Sequence, residues 1–366
     1  MKRVGFCVLS LMFLLAGCST PQTLALRQAP ASAENGVVEL KAVPFFPQAD
    51  GNGATAALAA LLGHTGRSVT PEELSGQLSA ADGEEARLIE MAAVARRQGR
   101  LVYPLAPQLD AVLAALHQGF PVLVRQNNGL SFFPSWRYAV VVGADRAGET
   151  FWLRSGESER LAQPFAAFER SWSRGGSWGV LLVDPRQIPD TLDARMVIRE
   201  LALMERAGAV ADAQAGFNAA VLNWPEQKPA WLGLASASLA LGQIDRAEST
   251  LRELVRRAPQ YGAGLNNLAD LLLKTGRPLE AMPLAERAVA VLDIPATRGT
   301  LEAAHQALQP LQAEALPAQP GDLAPGSLPP LARTKATAPK ASAGKRTKTA
   351  TGKRGKKART AAKATP

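Results

Sequence analysis

Cysteine and histidine are scarce in this sequence of 366 residues. The two cysteines, Cys7 and Cys18, lie close to the N-terminus, and the three histidines are His64, His117 and His305. A disulfide framework and a thiolate metal site are therefore excluded from the body of the chain. The histidines are also too far apart for a spacing such as HExxH, so we expect no metal site and no cofactor.

The apolar run at the N-terminus is short. It covers residues 4–16 behind the cationic Met1-Lys2-Arg3, whereas a membrane-spanning helix needs roughly 20 residues. It therefore predicts a signal peptide over residues 1–17. The run ends in Leu15-Ala16-Gly17-Cys18, which resembles the lipobox of bacterial lipoproteins. An ordinary secretory signal that happens to contain a cysteine is the alternative.

The lipobox resemblance implies a place in the cell. Cleavage before Cys18 and attachment of lipid to its thiol would hold the protein stably on a membrane of the bacterial envelope. Ser19, rather than Asp, follows the cysteine. By resemblance to Gram-negative lipoproteins, this favours the outer membrane, with the protein facing the periplasm. The polar segment 18–36, rich in Ala, Pro and Gln, is predicted to be a lipidated tether.

Acidic residues are absent from the C-terminal end of the chain. Of the 41 Lys and Arg residues, 12 lie from Arg333 onward, and the other 29 face 32 Asp and Glu. The net charge of +9 therefore belongs to the tail, and the rest of the chain carries −3. We predict that residues 316–366 form a disordered basic tail, because they offer no apolar face. It is either attracted to anionic lipids or envelope polymers, or solvated without a fixed partner. Nucleic acid is not an expected partner of an exported protein.

Residues 37–190 change in pattern from helices to strands. Helical patterns come first, as over 55–62 and 84–98, and alternating or apolar strand patterns follow, as over 121–125 and 138–142. This order predicts an α+β domain with antiparallel strands.

Small residues recur every 34 positions within residues 191–315. The period and the order of its landmarks resemble the tetratricopeptide repeat, in which Gly ends the first helix, Ala lets the two helices approach and Pro stops the second. We predict an all-α solenoid of three repeats plus a capping helix, and an unrelated helical bundle is the alternative. The landmarks are Gly208, Gly242 and Gly276, then Ala213, Ala247 and Ala281, and then Pro225 and Pro259.

Two motifs of the α+β domain carry a further resemblance. Val43-Pro44-Phe45-Phe46-Pro47-Gln48 precedes a small-residue helix, and Trp136-Arg137-Tyr138-Ala139-Val140-Val141-Val142-Gly143 lies on a predicted strand. Together they resemble papain-like cysteine peptidases of the bacteriocin-processing type, and the envelope branch that joins such a domain to tetratricopeptide repeats. The resemblance implies a papain-like fold for residues 37–190. In that family a Gln donates to the oxyanion, a Cys at a helix N-terminus attacks the substrate, and a strand His acts as base.

The family's catalytic site is incomplete in this sequence. Gln48 matches the oxyanion Gln, but Gly53 stands at the nucleophile position and Arg137 at the His position. The third member, Asp or Asn in the family, falls near Ser155. Because glycine has no nucleophile and Arg cannot accept a proton near neutral pH, we predict that no catalytic residue set is intact. Thr55 and Ser155 are the candidates for a replacement nucleophile, but no histidine lies near either in sequence.

Two classes of function follow. The first is a non-catalytic pseudopeptidase, anchored by Cys18, that binds a peptide or protein partner through the cleft and the repeats. The second is a peptide hydrolase of the cysteine-peptidase family, and positions 53 and 137 favour the first class over it. Within the cleft, Trp136 and Arg137 are candidate binding residues, and Arg137 would favour a carboxylate or another anion. A solvated cation at the end of a strand is the alternative interpretation of Arg137.

Overall fold

A computed structural model of the chain describes residues 20–29, 36–48, 53–78 and 83–315, with side chains of the last helix described to residue 310. The chain divides into two compact units, 1–313 and 314–366, and nearly all described residues belong to the first. The predicted signal peptide, Cys18 and the basic tail lie outside the described residues, and their assignments stay predictions. No helix within the described ranges is long and apolar enough to cross a membrane.

One antiparallel sheet of seven strands forms the centre of the α+β region. The strand order is β2-β7-β3-β4-β5-β6, and β1 pairs with β4 past the end of β3. The apolar strands β3 and β7 are buried on both faces, which accounts for their continuous hydrophobic runs. The strands are β1 Val37–Glu39, β2 Leu101–Pro104, β3 Val122–Asn127, β4 Trp136–Asp145, β5 Thr150–Ser155, β6 Ser158–Pro164 and β7 Gly179–Val183.

Helices cover both faces of this sheet. α2, which is rich in Ala and Leu all round, is buried almost throughout and packs with α3 and α4 against residues such as Leu123 and Val140. The alternate strand residues, such as Val124 and Val141, pack against α5 and α6 on the other face. These helices are α1 Pro21–Gln28, α2 Gly53–His64, α3 Pro71–Ser75, α4 Glu84–Arg97, α5 Leu109–His117 and α6 Phe165–Arg174.

Helix α1 corrects the tether prediction for part of residues 18–36. Glu169 of α6 accepts hydrogen bonds from the backbone N–H groups of Gln22 (2.9 Å) and Thr23 (2.8 Å) and from the Thr23 hydroxyl (2.6 Å). Leu26 is buried in the same contact. Residues 21–28 are therefore docked on the α+β region and do not form a free linker. The Glu169 carboxylate that holds them is more than 140 residues away in the sequence, so no local sequence pattern reveals this contact.

Seven further helices form three antiparallel pairs and a final single helix. The first helix of each pair ends at a glycine in the left-handed region, Gly208, Gly242 or Gly276, with φ of 93°, 71° and 73°. Each repeated alanine is fully buried at the helix crossing, as predicted. The helices are α7 Ala194–Arg206, α8 Val210–Asn223, α9 Lys228–Ala240, α10 Ile244–Arg257, α11 Gly262–Lys274, α12 Pro278–Val291 and α13 Pro295–Ala315.

The repeats pack directly on the α+β region. Leu201, Met204 and Phe217 of the first repeat belong to the same apolar cluster as Leu113 and Val183 beneath the sheet. The core therefore runs on past residue 190 without a break.

Charged residues reinforce this junction. Asp212 of α8 accepts hydrogen bonds from Arg67 at 3.0 Å and forms an ion pair with Arg186 at 2.9 Å. Arg96 of α4 pairs with the buried Glu200 of α7 at 2.7 Å. The first repeat is thus held by side chains from several separate elements of the α+β region.

Candidate functional site

Gln48 and Gly53 lie side by side. The backbone N–H of Gln48 donates to the Gly156 carbonyl at 2.9 Å, and the Gly156 N–H donates to Gln48 Oε1 at 3.0 Å. Gly53 begins α2, and a Cβ added to it would stand 3.3 Å from Gln48 Oε1. The turn at Gly156 therefore fixes the Gln48 side chain directly beside residue 53.

Arg137 reaches the same place from β4. Its side chain is exposed, and a Cβ added to Gly156 would lie 2.8 Å from its Nη1 atom. Gly156 itself has a φ of +61°, which favours glycine. Gln48, Gly53, Arg137, Ser155 and Gly156 thus form one group, which we call the cleft cluster.

Hydroxyl groups near the cleft cluster are buried. Ser155 is only 3% exposed, and its Oγ has no hydrogen-bond partner among the described residues. Thr55 is also buried, in the first turn of α2. Both side chains are therefore largely shielded from solvent.

No described histidine serves the cleft cluster. His64 ends α2, 11 residues after Gly53 and hence about 16 Å along the helix, where its Nε2 lies 3.1 Å from the Gly119 carbonyl. The other two histidines lie on α5 and α13. A hydroxyl at this site therefore has no imidazole base in the described part of the chain. The same part contains no group of three His, Cys, Asp or Glu residues that could hold a metal ion.

Trp136 is partnered by a cation that the sequence did not reveal. The guanidinium of Arg125, itself buried, lies 4.7 Å from the centroid of the half-exposed Trp136 ring and donates to Glu85 Oε1 at 2.7 Å. Nearby, the Tyr138 hydroxyl donates to Glu84 Oε2 at 2.7 Å. Burial and this hydrogen bond raise the pKa of Tyr138 above its usual range. One ring face of Trp136 is therefore occupied from within the protein.

An apolar groove lies between α4, the β2–β7 edge of the sheet and α7. It has a volume of about 310 Å³, with Leu88, Ile89, Trp178 and Val180 among its lining and the Arg96–Glu200 pair beside it. Sequence reasoning missed this groove, because its walls come from segments separated by up to about a hundred residues.

The second helices of the repeats carry an ion-pair network. Arg277 donates to Glu248 at 2.7 Å and to Glu280 at 2.8 Å, and Arg252 contacts the same two carboxylates at 2.8 Å each. Hydrogen bonds from these arginines lower the pKa of Glu248, and they lower that of Glu280 to about 2. The network joins α10 to α12 and so couples neighbouring repeats.

Comparison with known families identifies the repeats. A family model described as tetratricopeptide repeat matches residues 205–261 and 234–295, so the chain carries tetratricopeptide repeats. No curated protein sequence matches the chain.

Several solved structures resemble parts of the molecule. A C39-like peptidase from Bacillus anthracis is 17% identical, with 40% of this chain and 97% of that chain covered and a TM-score of 0.35. The type III secretion chaperone SycD of Yersinia enterocolitica, in complex with a peptide of the translocator YopD, is 20% identical over 35% of this chain and 96% of that one, with a TM-score of 0.30. YrrB, a tetratricopeptide-repeat protein with an unusual peptide-binding site, is 19% identical over 33% and 63%, with a TM-score of 0.29.

Proposed function

We propose that this chain is a lipid-anchored, non-catalytic interaction protein of the bacterial envelope. In this proposal a papain-like region without a working catalytic site and a set of tetratricopeptide repeats together bind a peptide or protein partner. The observation that carries the proposal is the pairing of a retained Gln48 with Gly53 and Arg137 at the nucleophile and base positions.

The chemistry of the cleft cluster supports a non-catalytic role. Gly53 supplies no nucleophile, and the Arg137 guanidinium stays protonated and cannot act as base. If Cys18 is acylated after cleavage, no free thiol remains in the mature chain. Ser155 and Thr55 are buried and have no described histidine beside them.

The same atoms are suited to holding an anion. The exposed Arg137 guanidinium offers several N–H donors, and Gln48 keeps its Nε2 amide to donate, because its Oε1 accepts from Gly156. A side-chain or C-terminal carboxylate of a peptide is therefore the ligand that we propose for the cleft. Repeats of this kind present extended surfaces to partners, which supports the repeats as the second contact.

A pull-down from envelope extract tests the binding proposal. We expect that the full chain retains a partner, that Arg137→Ala weakens retention, and that Arg137→Lys weakens it less because the charge is kept. Leu239→Asp on α9 tests whether the surface formed by the first helices of the repeats contacts the partner. Leu279→Asp on α12, a second helix, is the matched control, because both leucines are exposed. Equal retention of the partner by all variants would refute the proposal that the cleft and the first helices of the repeats contact it.

Purified protein tests the non-catalytic proposal. We expect no peptide hydrolysis, and no labelling of the processed protein by an activity-based thiol probe. Hydrolysis that disappears in Ser155→Ala or Thr55→Ala would favour the alternative, a peptidase with a replacement nucleophile.

The anchor and the tail are tested separately. Metabolic labelling with an alkyne fatty acid should mark the wild-type chain and not Cys18→Ser, and labelling of neither would refute the anchor alone. We also propose that residues 316–366 are attracted to anionic lipids or envelope polymers rather than to nucleic acid. That attraction should disappear as salt is added, because exposed charges are screened.

A further inference from the structure

The connection between β3 and β4 exposes the most concentrated apolar patch in the described part of the chain. Phe132 is 85% exposed and Phe133 is 78% exposed, and Leu130 stands beside them at 58%. The other most exposed apolar residues lie singly: Ile89 on α4, Val37 on β1, and Leu222 and Leu279 on the repeat helices. Scattered apolar side chains are ordinary, but neighbouring aromatic rings held in water mark a contact surface.

Hydrogen bonds brace the backbone of this hairpin. Asn127 Oδ1 accepts from the N–H groups of Gly129 and Ser135, both at 2.9 Å. Leu130 and Phe133 exchange two backbone hydrogen bonds of 3.0 and 3.2 Å. These bonds hold the backbone of the turn over residues 130–133, which we call the hairpin tip, and its apolar side chains are exposed.

Within the hairpin tip and the strand segments next to it the charged residues are all arginines, whereas Glu84 and Glu85 of α4 contact Tyr138 and Arg125 on the two strands. No Asp or Glu occurs in the sequence between Asp110 and Asp145, a stretch that contains both strands and the tip. Exposed Arg137 lies on β4, and exposed Arg174 of α6 donates from its Nε to the Asn127 carbonyl at the base of the hairpin. Apolar rings above exposed arginines complement an anionic lipid surface, where rings enter the interface and cations meet headgroups.

The first described residues of the chain lie against helix α6. Thr20 precedes α1, whose residues Gln22 and Thr23 bind Glu169 of α6, and Arg174 lies about 7.5 Å further along that helix. A residue two positions before Thr20 can lie no more than about 7 Å from it. Helix α6 thus links the start of the described chain to the hairpin.

We propose that the hairpin tip inserts into the interface of an anionic membrane and orients the α+β region on it. Phe132 and Phe133 enter the apolar boundary, while Arg174 meets the headgroups. The contact does not require the acyl group that the proposed function places on Cys18.

An environment-sensitive fluorophore at residue 131 tests the insertion. The full chain carries Cys7→Ser and Cys18→Ser, so that Ser131→Cys is its single thiol and no acyl group is present. We expect a blue shift and brighter emission when vesicles containing phosphatidylglycerol are added, and weaker changes with phosphatidylcholine alone. The same label on Ser249→Cys, exposed on α10, should not respond.

Substitution of the rings makes the test sharper. Phe132→Ser with Phe133→Ser should reduce the response by about tenfold or more, because two large apolar side chains are lost from the interface. Leu222→Ser with Leu279→Ser is the matched control and should leave it unchanged. An unshifted label on vesicle-bound protein would overturn the proposal, as would a response that appears only with envelope proteins. Because this background lacks Cys18, the fluorescence response reports the insertion alone. A failure of the anchor would instead be seen in the fatty-acid labelling of the wild-type chain.

Discussion

Gln48 and Gly156 exchange two hydrogen bonds, one from each backbone N–H, of 2.9 and 3.0 Å. Because the Gly156 N–H needs an acceptor, the bond fixes which end of the Gln48 carboxamide is oxygen. The Nε2 amide is therefore directed away from Gly156 and kept for another acceptor. The arrangement holds a side-chain amide donor in place beside Gly53 at the N-terminus of α2.

Restoring a thiol at position 53 should give a reactive cysteine. In a Cys7→Ser, Cys18→Ser background, we expect Gly53→Cys to react with iodoacetamide about tenfold faster at pH 7 than Ser249→Cys. The helix N-terminus lowers the pKa of the new thiol, whereas Ser249 lies within α10 on the surface. The pH dependence of the alkylation rate measures this difference. Equal rates would show that the start of α2 does not activate a thiol.

Adding a base to the Gly53→Cys variant should give it peptidase activity. Arg137→His in the Gly53→Cys chain places an imidazole on β4 next to the turn that holds Gln48. We expect this double variant, and neither single variant, to cleave members of a fluorogenic peptide library. Cleavage by Gly53→Cys alone would show that another group acts as base.

Gly143 is required by the close approach of β1 to β4. A Cβ at this position would lie 2.6 Å from the Val38 carbonyl oxygen and 2.8 Å from the Trp152 ring. We therefore expect Gly143→Ala to lower the free energy of unfolding by about 1–3 kcal/mol, since strand and ring must both shift. Denaturant unfolding checks this value. Gly36→Ala, just before β1 and with open space around it, should change it far less.

Sequence patterns predicted the parts of the fold that repeat or are strongly apolar. The 34-residue period located the repeat helices, because each small landmark has a local packing reason. Strand β6 was missed because six of its seven residues are exposed and its sequence shows no apolar alternation. Helix α1 was missed because its docking depends on Glu169, which is remote in sequence. Edge and terminal elements held by distant contacts leave little local signal.

Sequence reasoning grouped residues of the candidate site only where a motif covers them. Gln48, Gly53 and Arg137 could be matched by spacing, and the structure brings them together. Gly156 is the common neighbour of these residues, and Arg125 lies over Trp136. Both positions depend on strand pairing, so the spacing of residues in the sequence could not predict them.

The ion-pair network of the repeats should make their stability sensitive to acid. The pKa of Glu280 is lowered to about 2 and that of Glu248 is also lowered, from an ordinary value of 4.5. A carboxyl group whose folded pKa is depressed contributes stability above pH 4.5, and this contribution is lost as the pH falls toward 2. We expect the thermal midpoint of the wild type to fall more steeply over this range than that of Glu248→Gln with Glu280→Gln. High salt should flatten the wild-type curve, and identical curves for the two proteins would contradict the prediction.

Glu169 should control whether α1 stays docked. Its two carboxylate oxygens accept three hydrogen bonds from Gln22 and Thr23, so Glu169→Gln replaces one acceptor oxygen with a donor facing donors. Hydrogen bonds to a buried charge contribute roughly 1.5–3 kcal/mol each, and we therefore expect amide exchange over residues 21–28 to accelerate by at least about tenfold. Glu149→Gln is the control, since it weakens only the exposed pair with Arg27, which solvent screens. Unchanged protection in Glu169→Gln would mean that burial of Leu26 alone holds the helix. Faster exchange confined to α1 would instead show that one carboxylate sets how closely the predicted lipid-bearing end is held to the α+β region.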